Sequence, residues 1–129
     1  MSPLELVGIA LFGAAGAMLR HHLGGFVHES AARALASERH FPFGTLAVNV
    51  FGSFVLGLVG SLAMGGTMSP VLASVLGNGF CGAVTTFSTV AVDAERFLAD
   101  RRVVHAVADL LLTVLAGVGA AWIGMSIAA

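Results

Sequence analysis

The chain has 129 residues, of which 57% are hydrophobic and 10% charged, with a mean hydropathy of +0.96. A soluble domain has about a quarter charged residues, so this composition specifies an integral membrane protein too short to add a separate soluble domain. The net charge of -1 excludes a nucleic-acid footprint, and one cysteine, Cys81, excludes an internal disulfide or a cysteine metal cluster.

Residues 4–19 are apolar apart from Glu5, and no Lys or Arg precedes Arg20, so the basic start of a cleavable signal is missing and the run reads as a retained first helix. Gly8, Gly13 and Gly16 remove side-chain bulk and invite close helix packing. Arg20 either snorkels to the interface or presents charge to a water-filled vestibule. The polar stretch 21–40 holds His21, His22, His28, His40, Arg33, Arg39, Glu29 and Glu38. It is expected as an aqueous or interfacial connection, with AARALA forming a short surface helix. Its histidines lack the spacing of a closed metal site.

Residues 41–64 contain no charge and make the second span, at about 20 residues per crossing. Ser53, Gly57 and Ser61 recur every fourth position, a seam for close helix contact. Asn49 lies off that seam near the middle. A buried amide must be hydrogen-bonded there, so it either glues helices together or contacts something passing through. Gly65 and Gly66 then turn the chain.

Residues 68–92 are again uncharged, but GNGFCGAVTTFST (77–89) places glycines and hydroxyls where a plain helix would be expected. Gly77, Gly79 and Gly82 weaken the helix, and a break is expected near Gly82–Thr85. Such a break exposes carbonyl oxygens suited to a hard monovalent cation. Thr85, Ser88 and Thr89 then fall at helical spacings and line one face. The plainer alternative is that these hydroxyls bond back to carbonyls one turn earlier and only bend the helix; their density around Phe87 favours a permeation or binding path. Asp93, Glu95, Arg96, Asp100, Arg101 and Arg102 form a second polar connection. The fourth span follows, with Asp109 two turns inside it, a functional suspect by default. Trp122 suits either an interfacial anchor or packing.

The expected architecture is a single all-α membrane domain with four transmembrane helices at about residues 4–23, 41–64, 68–95 and 103–127. With four spans, every arginine lies in or beside the connections 21–40 and 93–102, and there is no lysine. The positive-inside rule makes those loops cytoplasmic and the termini external.

GTLAVNVFGSFVLG (44–57) and GFCGAVTTFST (79–89), preceded by GAMLR (16–20), resemble the bacterial fluoride channel family of the CrcB or Fluc type, and the likeness covers nearly the whole chain. The resemblance implies a passive fluoride-selective channel of the bacterial inner membrane that relieves fluoride toxicity. It also implies an antiparallel, dual-topology dimer with two permeation paths and a structural central sodium ion (Na+). By the same resemblance, backbone carbonyls of Gly82 and Thr85 hold the sodium and Asn49 stands beside the pore. Arg20 lies in the vestibule, Thr86, Ser88 and Thr89 form the hydroxyl track, and Phe87 is the first pore phenylalanine. The chain departs from the family pattern at Val90, where a second pore phenylalanine is usual, at Ala83, where glycine is frequent, and at Asp93, where glutamate often stands.

An antiparallel homodimer needs a chain that inserts both ways, yet the arginines here favour one orientation. A separately encoded, oppositely biased partner is therefore expected. Two rival classes are a proton-coupled small multidrug-type transporter, for which Asp109 is the one deep acid, and a structural subunit of a membrane complex. No catalytic constellation is present in the sequence, so an enzyme is not expected.

Overall fold

In the computed structural model, which describes residues 1–35 and 41–129, four helical spans are long and apolar enough to cross a membrane. They comprise α1 (Pro3–Leu35), α2 (Phe43–Met64), a composite third span (Pro70–Ala99) and α6 (Val103–Ala128). No strand occurs among the described residues.

The first span is longer than expected. Residues 21–35 do not form a connection; α1 runs through them without a break for 33 residues, about 50 Å at 1.5 Å per residue. Charge marks where the helix leaves hydrocarbon, not where it stops. The stretch is alanine-rich, lacks proline, and pairs Arg33 with Glu29 one turn earlier at 3.4 Å. AARAL is accordingly the last turn of α1 and not a separate surface helix, while Glu38, Arg39 and His40 fall outside the described residues.

Small residues set the packing. A side chain at Gly16 would collide with the Phe80 carbonyl, which seats α1 on the third span, and one at Gly57 would collide with the Ala121 carbonyl, which seats α2 on α6. The Ser53–Gly57 seam is therefore the α2–α6 interface, with Ser53 opposite Gly117 as well. Since Ser53 faces Gly117 and Gly57 faces Ala121, the two helices run parallel in a fixed register. Carried back one and two turns, that register sets Asn49 opposite Thr113 and Thr45 opposite Asp109.

The third span is built in pieces. The Ser69 hydroxyl caps the Leu72 amide with Pro70 in the first turn, and α3 (Pro70–Ser74) follows. A π-helical segment (Val75–Cys81) holds Gly77 and Gly79, α4 (Gly82–Val84) continues it, and α5 (Phe87–Ala99) completes the span. Between α4 and α5, Thr85 (φ -77, ψ 152) and Thr86 (φ -149, ψ 124) are extended. The break thus falls at the end of the expected range and one residue past it, and Gly82 itself is helical (φ -61, ψ -31). At the far end, Arg101 in the left-handed region (φ 59) turns the chain into α6. There Phe97 packs with Ala94, Ala106 and Phe41, and the Arg102 guanidinium lies 5.1 Å from the Phe97 ring centre.

Candidate conduction site

The break is made by a side chain 37 positions upstream. Asn49, buried on α2, donates its amide N–H to the Thr86 carbonyl (3.0 Å) and accepts the Thr86 backbone N–H on Oδ1 (2.7 Å). In a continuous helix that Thr86 N–H would bond to the Gly82 carbonyl four residues back. Asn49 takes it instead. The Thr89 N–H, which would otherwise serve the Thr85 carbonyl, goes to the Thr86 hydroxyl (3.3 Å), a helix N-cap for α5. Two side chains thereby deprive two carbonyls, those of Gly82 and Thr85, of their helical partners. Of the two roles left open for Asn49, its hydrogen bonds to Thr86 fill that of gluing helices, and among the described residues one of its two amide hydrogens has no partner.

The hydroxyls divide. Thr85 Oγ1 bonds back to the Cys81 carbonyl at 3.0 Å, the bending role, and is withdrawn from the track. Thr86 Oγ1 lies 3.1 Å from Ser88 Oγ and 3.2 Å from Thr89 Oγ1, so these three form one connected cluster at the surface of the chain. Phe87 opens α5 and is 75% exposed. Val90, 2% exposed, is packed inward and lines the groove beside Phe87.

Two concavities lie along α2. A groove of about 350 Å³ runs past the break, where Asn49, Ser53, Thr85, Thr86 and Thr113 supply the polar wall and Leu56, Phe87, Val90, Val114 and Val118 the apolar one. The second, about 530 Å³, opens at the end of the bundle that holds the arginines. Thr45, Asp93, Arg96, Asp100 and Arg102 line it together with Gly24 and His28 of α1. Thr45 donates its hydroxyl to Asp93 Oδ2 at 3.0 Å, and Arg96 stands 4.0 Å from the other Asp93 oxygen. Arg96 and Arg102 are the arginines that line this second concavity. Arg20, one turn beyond Gly16 on α1, is not among the lining residues of either concavity.

Sequence reasoning brought Asn49, Thr86, Phe87, Ser88 and Thr89 to one place and missed Thr45 and Thr113. Thr45, Asn49 and Ser53 are spaced four apart in one polar stripe, so Asn49 continues the Ser53–Gly57 seam and does not lie off it as expected; Thr113 follows Asp109 at the same interval on α6. Neither stripe announces the other until the α2–α6 register is known. Among the described residues no cluster of three His, Cys, Asp or Glu side chains could hold a metal ion.

A bundle of four spans, one interrupted in mid-course beside a polar groove, defines a multi-pass helical membrane protein whose irregular backbone is tolerated because it lines a cavity. The family model described as "CrcB-like protein, Camphor Resistance (CrcB)" matches residues 7–125, and the chain belongs to that family, which consists of ion channels and not enzymes. It is 37% identical over 125 residues to the fluoride-specific ion channel FluC of Citrifermentans bemidjiense, covering 96% of each chain. The protein named fluoride-specific ion channel FluC 2 in Mycobacterium tuberculosis is 42% identical over 123 residues, 95% of this chain and 89% of that one. A FluC of Renibacterium salmoninarum is 36% identical over 124 residues, 96% of this chain and 98% of its own.

Proposed function

We propose that the chain is a passive fluoride channel of the bacterial inner membrane, exporting fluoride and so relieving its toxicity. It works as one half of an antiparallel dimer with sodium at the centre. The observation that supports this most directly is the meeting of amide and hydroxyl donors with a helix break inside a span, in a family whose curated relatives are named for fluoride conduction.

Fluoride is small and strongly hydrated, so a path selective for it must replace water with hydrogen-bond donors. The uncommitted Asn49 N–H and the hydroxyls of Thr86, Ser88 and Thr89 are such donors, and the positive edge of the Phe87 ring supplements them. These groups bind without a fixed cation, which leaves the ion free to move on. An inside-negative potential drives an anion outward by about 2.3 kcal/mol per 100 mV. Hydrofluoric acid enters neutral and ionises in the cytoplasm, so a leak suffices.

The residues present fit sodium. The Gly82 and Thr85 carbonyls have lost their helical partners to Asn49 and Thr86, and neutral oxygens suit a hard monovalent ion. Two carbonyls from one chain are too few for a full oxygen shell, which favours a second subunit bringing an equivalent pair. When bound, the ion would supply positive charge to offset the carbonyl dipoles of both subunits. The exposed Phe87 and hydroxyl cluster are accounted for in the same way, as surface that a second subunit covers.

The one-sided arginines place the connections after α1 and α5 in the cytoplasm and favour an oppositely oriented, separately encoded partner. Labelling a C-terminal tag from each side of cells expressing this chain alone tests the orientation; equal labelling from both sides would return the homodimer. Function itself is tested in proteoliposomes. Fluoride is expected to leave far faster than chloride under an imposed potential, and equal rates would overturn the reading.

A further inference from the structure

Asp109 is 1% exposed on α6, and its Oδ2 has no hydrogen-bond partner among the described residues. One turn later Thr113 Oγ1 is in the same condition, and the two atoms do not bond each other. Natural proteins rarely leave buried polar atoms unpaired, so each such atom needs an explanation. The α2–α6 register places this pair between the two concavities: Thr45, opposite Asp109, lines the arginine-end vestibule, and Asn49, opposite Thr113, lines the groove at the break.

The charges around Asp109 are few. α6 packs chiefly on α2 and α5. α2 has no titratable residue, and its Thr45 hydroxyl is already given to Asp93. On α5, Asp93 is bonded by Thr45, which the register sets opposite Asp109, with Arg96 held toward Asp93 and both Glu95 and Asp100 exposed. On α6 itself His105, one turn earlier, is exposed and lies against Phe97. A bare carboxylate at Asp109 would face a second carboxylate with no cation paired to it, a costly burial. A metal ion would remove the charge but needs about six oxygen ligands. Asp93 is already engaged by Thr45 and Arg96, and Asp109 Oδ2 is the buried carboxylate oxygen without a partner among the described residues. A proton needs one oxygen.

We propose that Asp109 carries a proton and that its O–H, with the Thr113 hydroxyl, donates hydrogen bonds to fluoride between the vestibule and the Asn49 groove. The inference rests on the fluoride-channel reading. The proton stays on the Asp109 oxygen as the ion passes; its loss would place a full negative charge on an anion path and close it.

The test uses the purified full-length chain, with its partner if one is required, in proteoliposomes with equal pH on both sides. Fluoride efflux is corrected for protein-free vesicles. Raising pH from about 6 to about 9, the span over which fully buried carboxyl groups have been seen to titrate, is expected to lower wild-type efflux severalfold. Asp109→Asn, of the same shape and still a donor, is expected to give efflux that does not vary with pH. The second readout is infrared spectroscopy at neutral pH, where the carboxylic acid C=O band should be present in wild type and missing from Asp109→Asn. Identical pH profiles in both proteins, or no acid band lost on substitution, would overturn the proposal. Efflux that ignores pH but follows sodium would replace the proton with a metal ion and overturn it equally. If neither protein passes fluoride at any pH while the band difference is present, the channel reading fails, and with it the role of Asp109 as a fluoride donor.

Discussion

Asn49 and Asp109 are both polar, both buried and one turn apart in depth, yet they are held in opposite ways. Asn49 spends an acceptor and a donor on the backbone of Thr86, and the third span is broken because of it. Asp109 keeps an oxygen with no partner among the described residues. In a membrane the first arrangement is architecture, since every group that opens the helix is answered by another. The second leaves a desolvated group uncompensated, and an acid at that depth calls for a functional explanation. The same contrast runs through the hydroxyls: Thr85 is tied to the Cys81 carbonyl, whereas Thr86, Ser88 and Thr89 bond to one another at the surface of the chain.

Substitutions on the two sides should therefore fail differently. The largest effect is expected for Asn49→Asp, which removes the N–H donated to Thr86 and puts a fixed negative charge beside the groove; fluoride efflux should vanish in liposomes while size-exclusion still shows folded protein. Unaltered efflux would remove Asn49 from the path. Phe87→Ile comes next. Phe87 is the aromatic ring that lines the groove, with the aliphatic Val90 beside it, so efflux should drop markedly with little change in thermal stability. A harmless substitution would take ring edges out of the mechanism.

Thr86→Val deletes the N-cap of α5 and the hub of the hydroxyl cluster together. A loss of about 1 kcal/mol in stability is expected from the cap, read by chemical or thermal unfolding in detergent, with slower efflux alongside. Thr113→Val should have the smallest effect on stability. Its hydroxyl is buried and unpartnered, so an apolar isostere should leave the unfolding midpoint unchanged or raised, while efflux falls if the hydroxyl lines the path. A destabilised Thr113→Val would mean that the hydroxyl has a structural partner after all, and the contrast with Asn49 would collapse.

The four spans were legible because hydropathy and length measure what a bilayer demands. Glycine clusters at Gly16 and Gly57 were legible as packing surface for the same reason: closeness needs missing side chains. The limits of α1 were not, because charge reports the solvent around a helix and says little about its continuity. The break was placed in the right neighbourhood from Gly82 and the hydroxyls, but the glycine stays helical; what stops the helix is an amide on another span competing for the Thr86 N–H. Such long-range competition leaves no local signature. Asp109 was noticed as an acid at depth, while its partners Thr45 and Thr113 were not, since they meet only once α2 and α6 are laid in parallel register.

The interruption at Thr85 and Thr86 also divides one helix macrodipole into two. The stretch from Pro70 to Val84 ends with its negative pole at mid-span, and α5 begins there with its positive pole, each equivalent to roughly half an elementary charge. Within two residues the chain thus offers a negative terminus on the side of the Gly82 and Thr85 carbonyls and a positive terminus at Phe87, without placing an ionised side chain at the break. A cation and an anion could be attended by the same interruption from opposite ends, and a channel for the one could be braced by the other.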